Sequence, residues 1–193
     1  MKPIILAVLM DDISSIKPIK DSSFAMMLEA QQRGWDIYTF DSTDMFYGDG
    51  KVIANARKTL VKDSEHEWYK CEAAEELQLT NIDVVFMRKD PPFDMDYIYA
   101  TYLLEQAEDS GVLVLNKPSS LRDANEKLFA LNFPDCIPET LVSSNIEKLS
   151  EFISKIKTSV VKPLDGMGGT DIFRLAKGDK NIKEVLLKIT NQG

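Results

Sequence analysis

Val160-Val161-Lys162-Pro163-Leu164-Asp165-Gly166-Met167-Gly168-Gly169-Thr170 is the stretch from which the rest of the chain can be read. An apolar run ends in a lysine, opens into three glycines within four positions, and leads through Thr170 into a second apolar run. Glycine reaches φ > 0 at no steric cost, so successive backbone N–H groups can converge on an anion. Lys162 adds a cation at the same spot. Two readings stay open on the loop alone: a cover for phosphate groups, or a plain glycine hairpin turn. The Walker loop is excluded, because no Gly-Lys-Ser/Thr closes the pattern and a strand follows it. The dinucleotide fingerprint is excluded too, since Gly166, Gly168 and Gly169 do not space as Gly-x-Gly-x-x-Gly.

Around the loop, Asp171 to Ala176 reads as the return strand, and a last helix runs from about Asp179 to Ile189. Asn145 begins a helix carrying Leu149, Phe152, Ile153 and Ile156 on one side. Thr140 to Val142 reads as a short strand. Further upstream, Asp123 and Glu126 match a capping box, predicting a helix with Leu128, Phe129 and Leu131 that stops before Pro134. Lys127 then lies in its first turn, where the helix dipole adds to its positive field. Lys127 and Lys162 can each be a phosphate ligand or a surface lysine paired with a carboxylate.

The first 122 residues have a different character. Pro3 to Met10 is a near-continuous apolar run, as in a strand buried on both faces of a parallel sheet. Asp21 caps a helix closed by Gly34, and Trp35 to Phe40 is the next strand, which makes a β-α-β opening. Tyr47 to Lys51 is a hairpin turn, with Val52 to Val61 returning. Lys62 to Glu76 is charge-rich and reads as a surface excursion. Val84 to Met87 is another buried strand, Asp94 caps a long helix closed by Gly111, and Val112 to Leu115 is a fourth parallel strand. Arg88 and Asp90 stand where Val84–Met87 ends, the edge at which open α/β sheets place ligands. Arg88 can grip a substrate carboxylate in a bidentate contact, or it can pair with Asp90. Asp11, Asp12, Ser22 and Ser23 lie at another strand end.

Composition narrows the class. A net charge of −8 argues against broad nucleic-acid binding, and no apolar run reaches the roughly 20 residues of a membrane span. No signal-peptide cleavage pattern follows Met1, so a cytoplasmic address is expected. Cys71 and Cys136 form no metal framework and read as partly buried small hydrophobes. With one histidine, His66, in a solvated acidic segment, no Ser-His-Asp or Cys-His set can be assembled. Chemistry that activates a carboxylate with a nucleotide needs no protein nucleophile, only positioning and neutralised phosphate charge.

Asp21-Ser22-Ser23-Phe24-Ala25-Met26, Met87-Arg88-Lys89-Asp90-Pro91-Pro92-Phe93-Asp94, Tyr97-Ile98-Tyr99-Ala100-Thr101-Tyr102, Asn116-Lys117-Pro118, Leu121-Arg122-Asp123, Asn125-Glu126-Lys127-Leu128 and the Lys162–Gly169 block together resemble bacterial glutathione synthetase, of the ATP-grasp superfamily. The resemblance implies an α/β fold: a Rossmann-like, pre-ATP-grasp domain with a parallel sheet over residues 1–122, then a partial α+β ATP-grasp domain with its lid subdomain over 123–193. It implies ligation of γ-glutamylcysteine and glycine through an acyl phosphate, with ATP and Mg2+ as cofactors and a homo-oligomer as the assembly. Lys127, Lys162, Gly166, Met167, Gly168 and Gly169 are implied to meet the ATP phosphates. Arg88, Asp90 and Ser23 are implied to hold the peptide substrate. Magnesium ligands are expected beyond residue 193, on which reading the chain is truncated and inactive alone. Another ATP-grasp carboxylate–amine ligase, or a non-catalytic substrate-binding fragment, are the alternatives.

Overall fold

The computed structural model describes residues 2–89, 92–166 and 168–191. The chain forms two compact units, Met1–Asp123 and Ala124–Gly193. In chain order the first contains β1 (Ile5–Leu9), α1 (Ser22–Gln32), β2 (Asp36–Phe40), β3 (Met45–Gly48), β4 (Lys51–Val61), β5 (Tyr69–Gln78), β6 (Val84–Met87), α2 (Met95–Asp109), β7 (Leu113–Leu115) and α3 (Pro118–Asp123). The second contains α4 (Ile146–Lys155), β8 (Thr158–Val161), β9 (Phe173–Ala176) and α5 (Ile182–Ile189).

Strands β2, β1, β6 and β7 lie side by side and parallel, with Leu6 opposite both Ile37 and Val84, and Val85 opposite Val114. β1 and β6 are short apolar runs because helices cover both faces of the sheet there, whereas β7 at the edge leaves Leu113 and Leu115 exposed on one face. On one face Phe24, Met27 and Ala30 of α1 pack with Leu6, Val8 and Ile37. On the other, Ala100, Leu104 and Ala107 of α2 pack with Ala7, Leu9, Val85 and Val114. Burying Leu104 fully is worth about 1.5–3 kcal/mol. Both helices start where the sequence places their caps. Asp21 accepts from the Phe24 N–H at 2.8 Å, and Asp94 accepts from the Tyr97 N–H at 3.0 Å.

An antiparallel extension continues the sheet beyond β2. Asp49 and Gly50, at φ 50° and 76°, form the tight β3–β4 turn. The segment predicted as a surface excursion contains β5 instead, ten residues paired along β4. An edge strand exposed over most of its length has no need of apolar alternation, so Lys70, Glu72, Glu75 and Glu76 hide it from a periodicity search. Cys71 is half-buried against Thr59, whereas Cys136 is exposed, so only the former fits the reading as a partly buried residue.

In the second unit β8 and β9 pair antiparallel, from Thr158↔Ala176 to Val161↔Phe173. Leu149, Ile153, Leu175, Val185 and Leu186 make its core. Two expectations fail here. Residues 140–142 form no strand: Leu141 and Val142 are exposed, and the Thr140 hydroxyl turns back to the Pro138 carbonyl. Asp123 is not an N-cap but the last residue of α3, and no α-helix carries Leu128 to Leu131. A turn and a 3-10 segment, Phe129–Asn132, replace it, so the helix dipole invoked for Lys127 falls away. Among the described residues no helix is long and apolar enough to cross a membrane.

Candidate functional site

The predicted residues gather in two places, one in each unit. In the first unit the site lies past the C-terminal ends of β1, β2 and β6. The Arg88 N–H donates to the Leu9 carbonyl at 2.8 Å, which continues the β1–β6 ladder by one residue. Its guanidinium turns toward the start of α1. There Nε donates to Ser23 Oγ at 3.0 Å and an Nη2 hydrogen goes to Ser22 Oγ at 2.7 Å. Ser23 is buried, so its hydroxyl fixes the guanidinium against the fold. Arg88 and Ser23, each a candidate substrate residue, are therefore brought together, a contact the sequence did not announce. Asp90, the other candidate here, lies outside the described residues.

Beside this pair stands a group of which sequence reading singled out only Asp11. Lys89 Nζ meets Asp41 Oδ2 at 2.5 Å and also binds the Asp11 carboxylate. The three residues follow β6, β2 and β1, so one ammonium fastens three neighbouring strand ends. Burial pushes the Asp41 carboxyl up, but the bond from Lys89, the Thr43 N–H, the lysine charge and Ser42 outweigh it, leaving it below its usual range. Burial likewise lowers the Lys89 ammonium, and the two carboxylates more than reverse that. Asp12 is held low chiefly by its hydrogen bonds to Ser14 and helps cap the next turn.

In the second unit the glycine loop is tied to residues 125–127. Asn125 Oδ1 accepts from the Lys127 and Leu128 N–H groups at 3.0 Å each, while Nδ2 donates to the Leu164 carbonyl at 3.0 Å. The Lys127 ammonium donates to the Gly166 carbonyl at 2.5 Å and to Glu126 at 2.8 Å. Lys127 and the loop are thus joined. Lys162 stands exposed just past β8, and its charge is felt at Glu126, whose carboxyl is lowered first by the bond from Lys127 and then by the lysine charges. Gly168 and Gly169 take φ 61° and 80°, values that favour glycine. At Gly166 the constraint is space: a Cβ would lie 2.6 Å from Pro163 Cγ. Met167 lies outside the described residues.

Chemically, the second site offers two ammonium groups beside a loop whose glycines leave backbone free to approach an anion, which suits polyphosphate. The first offers a guanidinium held by two neutral hydroxyls, which suits a carboxylate. Among the described residues no group of three or more His, Cys, Asp or Glu side chains is arranged to hold a metal ion. Asn125 had a local signal, an Asx residue two and three positions before the N–H groups it caps. Asp41 and Lys89 had none that a linear reading could use.

Comparison with known proteins adds the following. The family model described as "Prokaryotic glutathione synthetase, N-terminal domain" matches residues 4–122, and "Prokaryotic glutathione synthetase, ATP-grasp domain" matches residues 126–193. The chain is 47% identical over 188 residues to a glutathione synthetase of Vibrio vulnificus, covering 97% of this chain and 59% of that protein. It is 48% identical to the Photorhabdus laumondii glutathione synthetase, again over 97% of this chain and 60% of that one. The chain spans about three fifths of the length of the curated relatives it matches. Among solved structures it resembles D-alanyl-alanine synthetase A from Vibrio cholerae, with TM-score 0.54 and 13% identity over 99% of this chain and 57% of that one. It also resembles the ATP-grasp ligase PsnB, with TM-score 0.54 and 14% identity over 94% of this chain and 61% of that one. At such identities the structural likeness speaks for the fold alone.

Proposed function

We propose, from the premise that the chain belongs to the prokaryotic glutathione synthetase family, that it serves an ATP-dependent ligase joining γ-glutamylcysteine to glycine. In this reading residues 1–122 form the N-terminal, peptide-side domain and residues 123–193 belong to the ATP-grasp domain. Lys127 and Lys162 neutralise nucleotide phosphates, and Gly166, Met167, Gly168 and Gly169 cover them. Arg88, with Ser23 and Asp90, holds a peptide carboxylate. ATP supplies the phosphoryl group that makes the peptide carboxylate an acyl phosphate, and Mg2+ offsets phosphate charge. We assign the metal no ligand among the described residues. The reading includes a cytoplasmic homo-oligomer with small-molecule substrates and no nucleic-acid or membrane partner.

The observation that carries the proposal is the tie between Lys127 and the Gly166 carbonyl, reinforced by Asn125 on Leu164. A lysine already fastened to the loop backbone loses little freedom when it meets a phosphate, and loop and cation move as one. The test extends this chain with the part of the Vibrio vulnificus protein that it does not match, and measures ADP release. Release that requires both γ-glutamylcysteine and glycine supports the reading, and other amino acids in place of glycine test the acceptor. Lys162→Ala in that protein should weaken ATP binding about 10- to 150-fold, the loss of one charged contact of about 1.5–3 kcal/mol. A folded protein with no peptide-dependent ADP release, or an unchanged nucleotide titration in Lys162→Ala, refutes it.

A further inference from the structure

We infer that Lys89 is a positioning residue for peptide binding: by pairing with the Asp11 and Asp41 carboxylates it lowers the negative charge of the strand edge on which Arg88 meets an anion. The inference rests on the proposed role of Arg88 and goes beyond it, since Lys89 itself touches no substrate in this reading.

The edge is rich in acid. Asp11 and Asp12 follow β1, Asp41 and Asp44 follow β2, and Asp21 caps α1 next to Ser22 and Ser23. An anionic peptide approaching such a surface is repelled more strongly the more of these charges lack a counter-charge. Each acid has a partner, but of these partners only Lys89 brings an opposite charge. Asp12 and Asp21 accept backbone N–H groups of Ser14 and Phe24, and Asp44 accepts the Asp41 N–H. Asp11 and Asp41 are held by Lys89, whose side chain is only 21% exposed. Opposite charges at such range in a half-buried setting are screened far less than surface pairs.

Arg88 is different in kind. Among the described residues its guanidinium is bonded to two hydroxyls and to no carboxylate. Neutral partners fix its direction without cancelling its charge, which is what a group that must accept an incoming carboxylate needs. Lys89 and Arg88 are neighbours in the chain and divide the work: one cation is spent on the acids of the fold, the other is kept for the ligand. Without Lys89, two partly buried carboxylates stand without a counter-charge at the same edge, and the repulsion of an anion there grows.

If Lys89 acts only by tying the strand ends together through its own bonds, a triple variant lacking Lys89 and both carboxylates, which has no tie, binds as weakly as Lys89→Met. A charge-matching role predicts the reverse: neutralising the acids restores what loss of the lysine took away. The experiment is calorimetric titration of the 193-residue chain with γ-glutamylcysteine, using Lys89→Met, Lys89→Arg and the triple variant Lys89→Met/Asp11→Asn/Asp41→Asn. Lys89→Met is expected to bind about 10- to 100-fold more weakly, the range for one charged contact. Lys89→Arg and the triple variant are expected within about threefold of wild type, because the edge is again matched. Wild-type affinity in Lys89→Met, or a triple variant as weak as Lys89→Met, overturns the inference while leaving the role of Arg88 standing. A wild-type chain that does not bind the peptide refutes that role and the inference with it. If circular dichroism shows Lys89→Met unfolded, the triple variant decides alone: wild-type affinity supports charge matching, and a tenfold loss overturns it.

Discussion

Asn125 performs two separable jobs, and the Asp and Ala substitutions take them apart. Oδ1 accepts from the Lys127 and Leu128 N–H groups, and Nδ2 donates to the Leu164 carbonyl, all at 3.0 Å. Asn125→Asp keeps the acceptor and removes the donor. Asn125→Ala removes both. The Asp variant loses one neutral hydrogen bond, about 0.5–1.5 kcal/mol, and turns a carboxylate oxygen toward a carbonyl. The Ala variant loses that bond and also the two accepted ones, a cap-like loss of about 0.5–2 kcal/mol more. Native-state amide exchange reads the second quantity directly. Lys127 and Leu128 should exchange about 2- to 30-fold faster in Asn125→Ala and stay near wild type in Asn125→Asp. The Leu164 carbonyl 13C signal should move in both variants. Equal deprotection of the two amides in Asp and Ala would refute the cap. An unmoved Leu164 carbonyl would refute the tie to the glycine loop.

Gly166→Ala places a Cβ 2.6 Å from Pro163 Cγ, and a proline ring yields little. Forced repacking of about 1–3 kcal/mol should shift the Gly168 and Gly169 amide signals and weaken nucleotide binding about 5- to 150-fold by calorimetry. Among the described residues Ser159 Oγ is buried with no hydrogen-bond partner, opposite Leu175 in the second unit. Ser159→Ala should therefore stabilise by about 1 kcal/mol, and a thermal midpoint that falls would count against it. The Asp41 carboxyl is held below its ordinary 3.8 in the fold. Its contribution is present above that value and is lost as pH falls through the lower folded value. Denaturant unfolding at a series of pH values should show a flatter acid limb below about pH 4 in Asp41→Asn than in wild type.

What a linear reading could reach depended on whether the cause was local. The caps at Asp21, Asp94 and Asn145 act within three residues, and the buried strands announce themselves by composition, so the doubly covered sheet was legible. Strand β5 was not, because its cause is a partner strand and its outer edge is free of any burial requirement. The capping box at Asp123 was a sound local pattern that lost to a neighbour. Asn125 can cap as well, and its amide also reaches Leu164, 39 positions on. The same holds for Lys89, whose partners lie 78 and 48 positions away. A lysine–aspartate–proline run says only that a charged turn follows a strand. Parallel pairing of β2, β1 and β6 makes the end of β6 a meeting point, since parallel strands necessarily bring all their C-terminal ends to one edge. Residue types at that edge were readable as candidates. Which cation pairs with the fold and which stays available to a ligand was not, because that choice is made by register, and register is a property of the sheet.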